Sequence, residues 1–339
     1  MIKTILRMNP VKYSTTYLIS LLAVLMMCGC VTTNHLSDLR YKKFLKATVE
    51  ILVDGRIQGS GWFASQTGDI ITAAHVIKPS GYIEAIDSSG FRFPIKPIAA
   101  DIGNDIALLQ PVSNLYVRYY FEPAEKLPPP GAMIHLVGSA LFRHNVMLPG
   151  WVARSGLTYE FSPIFEDYTR VYHIAASTPP GSSGGCWIDG NGRVVGVQSG
   201  MMTLGNAAQG IAYASPPDAI KNIIARKKSA CTASIQCAVE ELWEQPPDLI
   251  KNFPQGSRGV VVAKIVKDGI SEKAGLKKDD LILTLNGVAV QKRDEFMSIL
   301  RNINKDETIA LEVLSPTSKE KRVINVKVQS LEEIYKMNY

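Results

Sequence analysis

Hydrophobic positions along this chain fall into two regimes. Residues 17–27 (YLISLLAVLMM) form one continuous apolar run, shorter than the roughly 20 residues of a comfortable membrane-spanning helix. From residue 47 onward the apolar positions come in short bursts rich in β-branched and aromatic residues, such as ATVEILV (47–53), GSGWFA (59–64) and DIIT (69–72). Asp54-Gly55 and Thr67-Gly68 separate these bursts, and such pairs signal turns because both residues tolerate the reversals a hairpin demands. Further bursts at 82–86, 91–98 and 106–109 continue the pattern. Many short strands with no helix between them predict an all-β barrel. A proline-rich stretch at 121–131 interrupts the series, and a second series follows at 133–137, 146–148, 151–155, 170–174, 186–188, 194–198 and 210–214.

The period then changes. PPDAIKNIIA (216–225) has proline near its start and apolar residues at helical spacing, which predicts a helix closing the second series. Residues 226–252 read as a linker with helical character around 238–243. Beyond it, GVVVAKIV (259–266), ISEKAGLK (270–277) and DLILTLNG (280–287), with a helix over 294–301, make a third unit. The expected organisation is residues 1–29 as an export segment, 30–46 as a tether and 47–225 as two barrels. A linker (226–252), a small α+β unit (253–330) and a tail (331–339) complete it.

Composition narrows the function. The 339 residues are 46% hydrophobic and 20% charged, which suits globular cores and excludes a disordered chain. Lys3, Arg7 and Lys12 precede the apolar run, and no acidic residue occurs before Asp38, the pattern of an export signal. Removing those three basic residues with the signal reduces the net charge from +6 to +3. So weak a basic balance, without a Lys/Arg patch interleaved with aromatics, gives no case for nucleic acid. If Cys28 leaves with the signal and Cys30 takes lipid, Cys186, Cys231 and Cys237 remain; Cys231 and Cys237 either pair in an oxidising compartment or stay free thiols. The histidines and carboxylates lack a metal-ligand spacing such as HExxH, so neither metal nor cofactor is expected.

The candidate chemistry sits in three short motifs. TPPGSSGG (178–185) places Ser183 in a glycine-rich turn before an apolar strand. Glycines there permit a backbone that aims the N–H groups of Gly181 and Ser183 at one oxyanion while the hydroxyl stands clear. TAAHV (72–76) ends a strand with His75, and NDIALL (104–109) opens another with Asp105. The chain order His, Asp, Ser is that of the two-barrel serine proteases, unlike the Ser, Asp, His order of the α/β-hydrolases. Together with GRVVGV (192–197), these motifs resemble the trypsin-like fold in its HtrA/Deg form, and the third unit closely resembles a PDZ domain of that family.

The resemblance implies an all-β double barrel followed by a small α+β PDZ domain, with the site in the cleft between barrels. His75 would take and return the proton, Asp105 would fix the imidazole, and Ser183 would attack. Ser177, six before the nucleophile, would lie at the base of the specificity pocket; with no carboxylate there, small to medium apolar side chains are favoured. Gln198, Ser199 and Gly200 would pair with the substrate backbone. In the PDZ domain, N–H groups around Arg258, Gly259, Val260 and Val261 would receive a chain-end carboxylate, with a pocket near Phe296 and Leu300 for its apolar side chain.

Gly29-Cys30 after the apolar run resembles a bacterial lipoprotein signal. Cys30 would carry lipid, and Val31 would direct the protein to the outer membrane; plain secretion and an uncleaved anchor are the other readings. By resemblance the protein is a homo-oligomer, a trimer in relatives, acting on unfolded or misassembled envelope proteins. A non-catalytic binding protein on the same fold is the alternative reading.

Overall fold

The computed structural model describes residues 40–77, 81–140, 144, 146–205, 207–337 and 339. The export run, Cys30 and His35 lie outside the described residues. Of the N-terminal unit of residues 1–44, residues 40–44 are helical, and everything from Leu45 onward forms a second unit.

Six strands close the first barrel in the order β1-β2-β3-β6-β5-β4. They are β1 (Thr48–Val53), β2 (Arg56–Phe63), β3 (Ile70–Thr72), β4 (Ile83–Asp87), β5 (Arg92–Asp101) and β6 (Ile106–Pro111). All positions of β1 are buried. Successive side chains of a strand face opposite ways; one face of β1 fills the barrel, and on the other Glu50 pairs across the ladder with Ser60 and accepts from Ser139 Oγ of the second barrel at 2.5 Å.

The second barrel is built from β7 (Met133–Gly138), β8 (Val146–Val152), β9 (Thr158–Ser162), β10 (Asp167–Ala175), β11 (Cys186–Ile188), β12 (Val194–Leu204) and β13 (Ala207–Ser215). β13 pairs with both β12 and β10, closing six strands, while β9 lies outside the ring on β10. The bursts at 146–148 and 151–155 turn out to be largely one strand, and β9 escaped the pattern because its TYEFS run is half-buried throughout most of its length. Trp187, Tyr172, Ile174 and Leu136 pack the interior. The Pro217–Arg226 helix follows, with proline in its first turn, Asp218 at its positive end and Arg226 at its negative end, both charges favourable to the helix dipole.

The third unit corrects the expected boundary. Residues read as linker contain β14 (Ala233–Ser234) and β15 (Cys237–Glu241), and β15 belongs to the six-stranded sheet of the third unit. Helix around 238–243 appears only as a 3-10 turn at Leu242–Glu244. So short a burst shows no period of its own; its strand state comes from pairing with β16 (Val260–Ile265), Val239 opposite Val262. The sheet continues through β17 (Leu281–Leu285), β19 (Thr308–Leu314) and β20 (Lys321–Lys327), with β18 (Val288–Ala289) paired to β17. The Arg293–Leu300 helix packs Phe296, Met297 and Leu300 into the core, and β21 (Gln329–Ser330) pairs with β14.

Candidate active site

His75 and Asp105 meet because β3 and β6 are hydrogen-bonded neighbours, Thr72 opposite Ala107. His75 sits in the 3-10 turn Ala74–Val76, and its backbone N–H donates to Asp105 Oδ1 at 3.0 Å. The ring Nδ1 lies 2.8 Å from Asp105 Oδ2. An ionised carboxylate only accepts, so Nδ1 carries the proton and Nε2 keeps its lone pair. Ser199 Oγ also donates to Asp105 Oδ2, at 2.5 Å, from across the cleft. Burial alone would lower the proton affinity of the imidazole; the Asp105 charge and hydrogen bond outweigh it, so His75 titrates above the ordinary 6.5.

The nucleophile loop is fastened to the first barrel. Ser60 N–H donates to the Ser183 carbonyl at 2.8 Å, and Ser60 Oγ donates to the Gly181 carbonyl at 2.8 Å. The same Oγ accepts from Ser139 N–H at 2.8 Å. Gly184 has φ +82°, and a Cβ there would come within 2.2 Å of Ser60 O and of Thr72 Oγ1, and 2.9 Å of Ala73 N. Only glycine brings this loop so close to the strand end that carries His75. Ser182 closes the turn, its Oγ donating to Pro179 O at 2.5 Å. Among the described residues, neither the N–H groups of Gly181 and Ser183 nor the Ser183 hydroxyl has a hydrogen-bond partner within the fold. The loop therefore presents an unspent hydroxyl and two unspent donors.

Other expected substrate contacts are redistributed. Gln198 is buried: its Oε1 accepts from Trp187 Nε1 at 2.8 Å, and its Nε2 donates to Thr178 Oγ1 at 3.0 Å and Gly200 O at 2.7 Å. Its backbone is spent on Gly184 N–H and Gly185 C=O, each at 2.8 Å. Gln198 thus braces the nucleophile loop from beneath and has no group left for a substrate. Ser199 serves Asp105 through its hydroxyl, and Ser177 is exposed rather than at the base of an enclosed pocket, with buried Thr178 beside it.

The PDZ residues are placed differently as well. Val260 and Val261 lie on β16, which pairs with β15 on one side and β17 on the other. A strand with both edges occupied cannot receive an added strand, so Val260 and Val261 are corrected from ligand edge to sheet interior, while Arg258 and Gly259 precede the strand. The available edge is that of β15, facing the Arg293–Leu300 helix with its Phe296 and Leu300.

That groove already holds part of the second barrel. Tyr168 of β10 is buried among Val239, Phe296, Met297 and Leu300, its hydroxyl donating to Val239 O at 2.5 Å and accepting from Val239 N–H at 3.0 Å. Beside it, the buried Asp167 carboxylate accepts from Arg301 at 2.8 Å, from Tyr168 N–H at 2.6 Å and from Ser234 Oγ. Asp294 accepts from Thr158 Oγ1 and Tyr159 N–H at 3.1 Å.

Ser60 and the Asp167-Tyr168 pair escaped the reading of the sequence. For Ser60 a signal existed, a serine between Gly59 and Gly61 in a strand, where absent side chains invite close backbone approach. Three carboxylates, Glu240, Glu241 and Glu244, converge on the PDZ face. Arg293 already lies among them, bonded to Glu240 Oε2 at 3.0 Å and, through its N–H, to Glu241 Oε1 at 3.1 Å. Cys186, Cys231 and Cys237 are free thiols; burial pushes the Cys237 thiol up to about 12.

Family profiles match two parts of the chain: a trypsin-like peptidase domain over residues 59–197 and a PDZ domain over residues 239–328. The chain is 25% identical over 256 residues to a Marinomonas protein named "Probable periplasmic serine endoprotease DegP-like", covering 75% of this chain and 54% of that one. To serine protease HTRA1 of Xenopus laevis it is 24% identical over 302 residues, covering 82% and 63%. It thus spans little more than half the length of such relatives. Among solved structures, the HtrA-type protease AlgW with a decapeptide superposes with a TM-score of 0.59 at 18% identity, over 85% of this chain and 97% of that one. The serine endoprotease from Yersinia pestis gives 0.55 at 18% identity, over 86% and 97%. These likenesses establish the fold.

Proposed function

We propose that this chain, which joins a trypsin-like peptidase domain to one PDZ domain in the manner of its HtrA and DegP relatives, is an exported serine endopeptidase. Its substrates are unfolded or misassembled proteins of the bacterial envelope. The observation that carries the reading is the His75–Asp105 pair, 2.8 Å apart, beside a glycine loop that presents Ser183 with its hydroxyl unspent.

Ser183 Oγ attacks the scissile carbonyl while His75 Nε2 takes its proton, and Asp105 stabilises the imidazolium that forms. The Gly181 and Ser183 N–H groups receive the developing oxyanion. His75 then protonates the leaving amine, and a water repeats the sequence on the acyl-enzyme. Catalytic hydrogen bonds are often loose in a free enzyme and tighten on the substrate, which accounts for the unpartnered Ser183 hydroxyl. The test is labelling by a fluorophosphonate probe followed by peptide mapping. Modification at Ser183, lost in Ser183→Ala and His75→Ala together with casein hydrolysis, is expected; casein hydrolysis by pure Ser183→Ala would sink the assignment.

Residues 1–29 direct export, and Cys30 bears the lipid that holds the protein at the outer membrane. Cys30→Ser should then release it from membranes or stall its processing, since acyl chains supply most of the membrane affinity. Chain ends are the PDZ ligand, entering between β15 and the Arg293–Leu300 helix by displacing Tyr168. Relief of that contact couples binding to the peptidase.

A further inference from the structure

We infer that Glu332 is a positioning residue for the peptidase site: its buried carboxylate fixes the turn that delivers Asp105 to His75. This rests on the reading of Asp105 as the group that orients His75.

Asp105 ends the 3-10 turn Ile102–Asn104 with φ 50° and ψ 50°, a left-handed conformation that residues bearing a side chain seldom take. Aspartate takes it more readily than most residues, and here bonds from the turn and from neighbouring elements hold it in place. Within the turn, Asp105 N–H donates to Ile102 O at 3.0 Å and Asn104 N–H to Asp101 Oδ1 at 3.1 Å. Arg170 Nε holds the Asn104 side chain at 2.9 Å, and a further constraint comes from 230 residues away, where Ile102 N–H donates to Glu332 Oε1 at 3.0 Å.

Glu332 is wholly buried on the Leu331–Ile334 helical turn that follows β21. Besides Ile102, it accepts from Thr232 N–H at 2.7 Å, Thr232 Oγ1 at 2.7 Å and Ser330 Oγ at 2.9 Å. Among the described residues no Lys, Arg or His forms an ion pair with it. Its oxygens are met by aimed N–H and O–H donors. Thr232 presses the same turn from the side: its Oγ1 accepts from Gly103 N–H at 3.3 Å, and a Cβ on Gly103 would lie 2.6 Å from Thr232 Cγ2. An apolar residue could fill the space that Glu332 occupies. It could not accept the Ile102 N–H, and that directional bond is what reaches the catalytic aspartate.

The experiment compares wild type with Glu332→Gln, Glu332→Ala and the neighbouring Glu333→Gln, whose exposed carboxylate pairs with Lys305. Steady-state hydrolysis of a peptide is measured beside the low-field proton resonance of His75 Nδ1–H and thermal unfolding. The Glu332 variants should lose about 10- to 100-fold in kcat with KM within about twofold, Ala more than Gln, as a displaced orienting group would cause. Their His75 resonance should move upfield or broaden, while Glu333→Gln matches wild type. Thr232→Val, which deletes one donor to Glu332, should shift both readouts in the same direction by less and stands in if a Glu332 variant does not fold. Folded Glu332 variants with wild-type kcat and an unmoved resonance overturn the inference, whatever their melting temperature. A wild type that neither hydrolyses peptide nor reacts with the fluorophosphonate overturns the functional reading instead, and the resonance still decides the role of Glu332.

Discussion

Replacing Ser60 by alanine removes one oxygen from the seam between the barrels, and its effect should appear at the oxyanion. The hydroxyl is fully buried, accepts from Ser139 N–H and donates to the Gly181 carbonyl, each at 2.8 Å. Ser60→Ala leaves a buried donor and a buried acceptor unsatisfied; at about 1–3 kcal/mol for each such group, roughly 2–6 kcal/mol of stability should be lost. The kinetic effect is separate. Deleting an oxyanion donor outright lowers kcat by about 10²–10³-fold, so freeing the peptide that follows Gly181 should cost about 10- to 100-fold. KM should hardly change, because Ser60 faces the loop and not the substrate cleft. Stopped-flow acylation by an activated ester, with denaturant unfolding of the same protein, separates the two effects. A variant destabilised as expected but acylated at the wild-type rate would refute the link from Ser60 to the oxyanion loop.

Because His75 titrates above 6.5, and hydrolysis needs its neutral form, kcat/KM should fall as pH is lowered through that raised value. Asp105→Asn should move this limb to lower pH and lose about 10⁴-fold in rate, and an unmoved limb would mean that another group titrates. The same pair contributes stability that is full below pH 6.5 and disappears as pH rises through the raised value; thermal melts across that window check the sign. Tyr168→Ala should open the groove beside β15, so that a peptide with an apolar C-terminal residue and a free carboxylate binds more tightly by calorimetry than to wild type. Equal gains for its amide would reject chain-end recognition. Gly184→Ala should abolish fluorophosphonate labelling, given the 2.2 Å approach to Ser60 O, and a stable, labelled variant would contradict the packing of the loop.

How much of this was written locally depends on where each partner lies. His75, Asp105 and Ser183 stood out because their neighbours TAA, NDIALL and GSSGG carry strand and turn signals in adjacent residues. Gln198 was misread because its backbone groups are already spent on Gly184 and Gly185, and neither contact leaves a mark on the VQSG run itself. β15 was read as linker because CAVEE becomes a strand only when β16 pairs with it. The PDZ edge was misplaced for the same reason: GVVV is the most strand-like run in the domain, and that apolar character reflects burial between two neighbours. Tyr168 in the groove depends on packing between domains, which no periodicity within either one records.

The bond from Ile102 to Glu332 also sets a clock. A ribosome adding 5–20 residues per second makes the Ile102 turn and then needs roughly 10–50 s to cover the 230 residues to its carboxylate partner. Over the second half of that interval, once Ser215 is made, both barrels and their serine already exist as chain while the clamp on the aspartate turn does not. On the role inferred for Glu332, full turnover then arrives only after the PDZ domain has been made, and a nascent or prematurely released peptidase is a slower one.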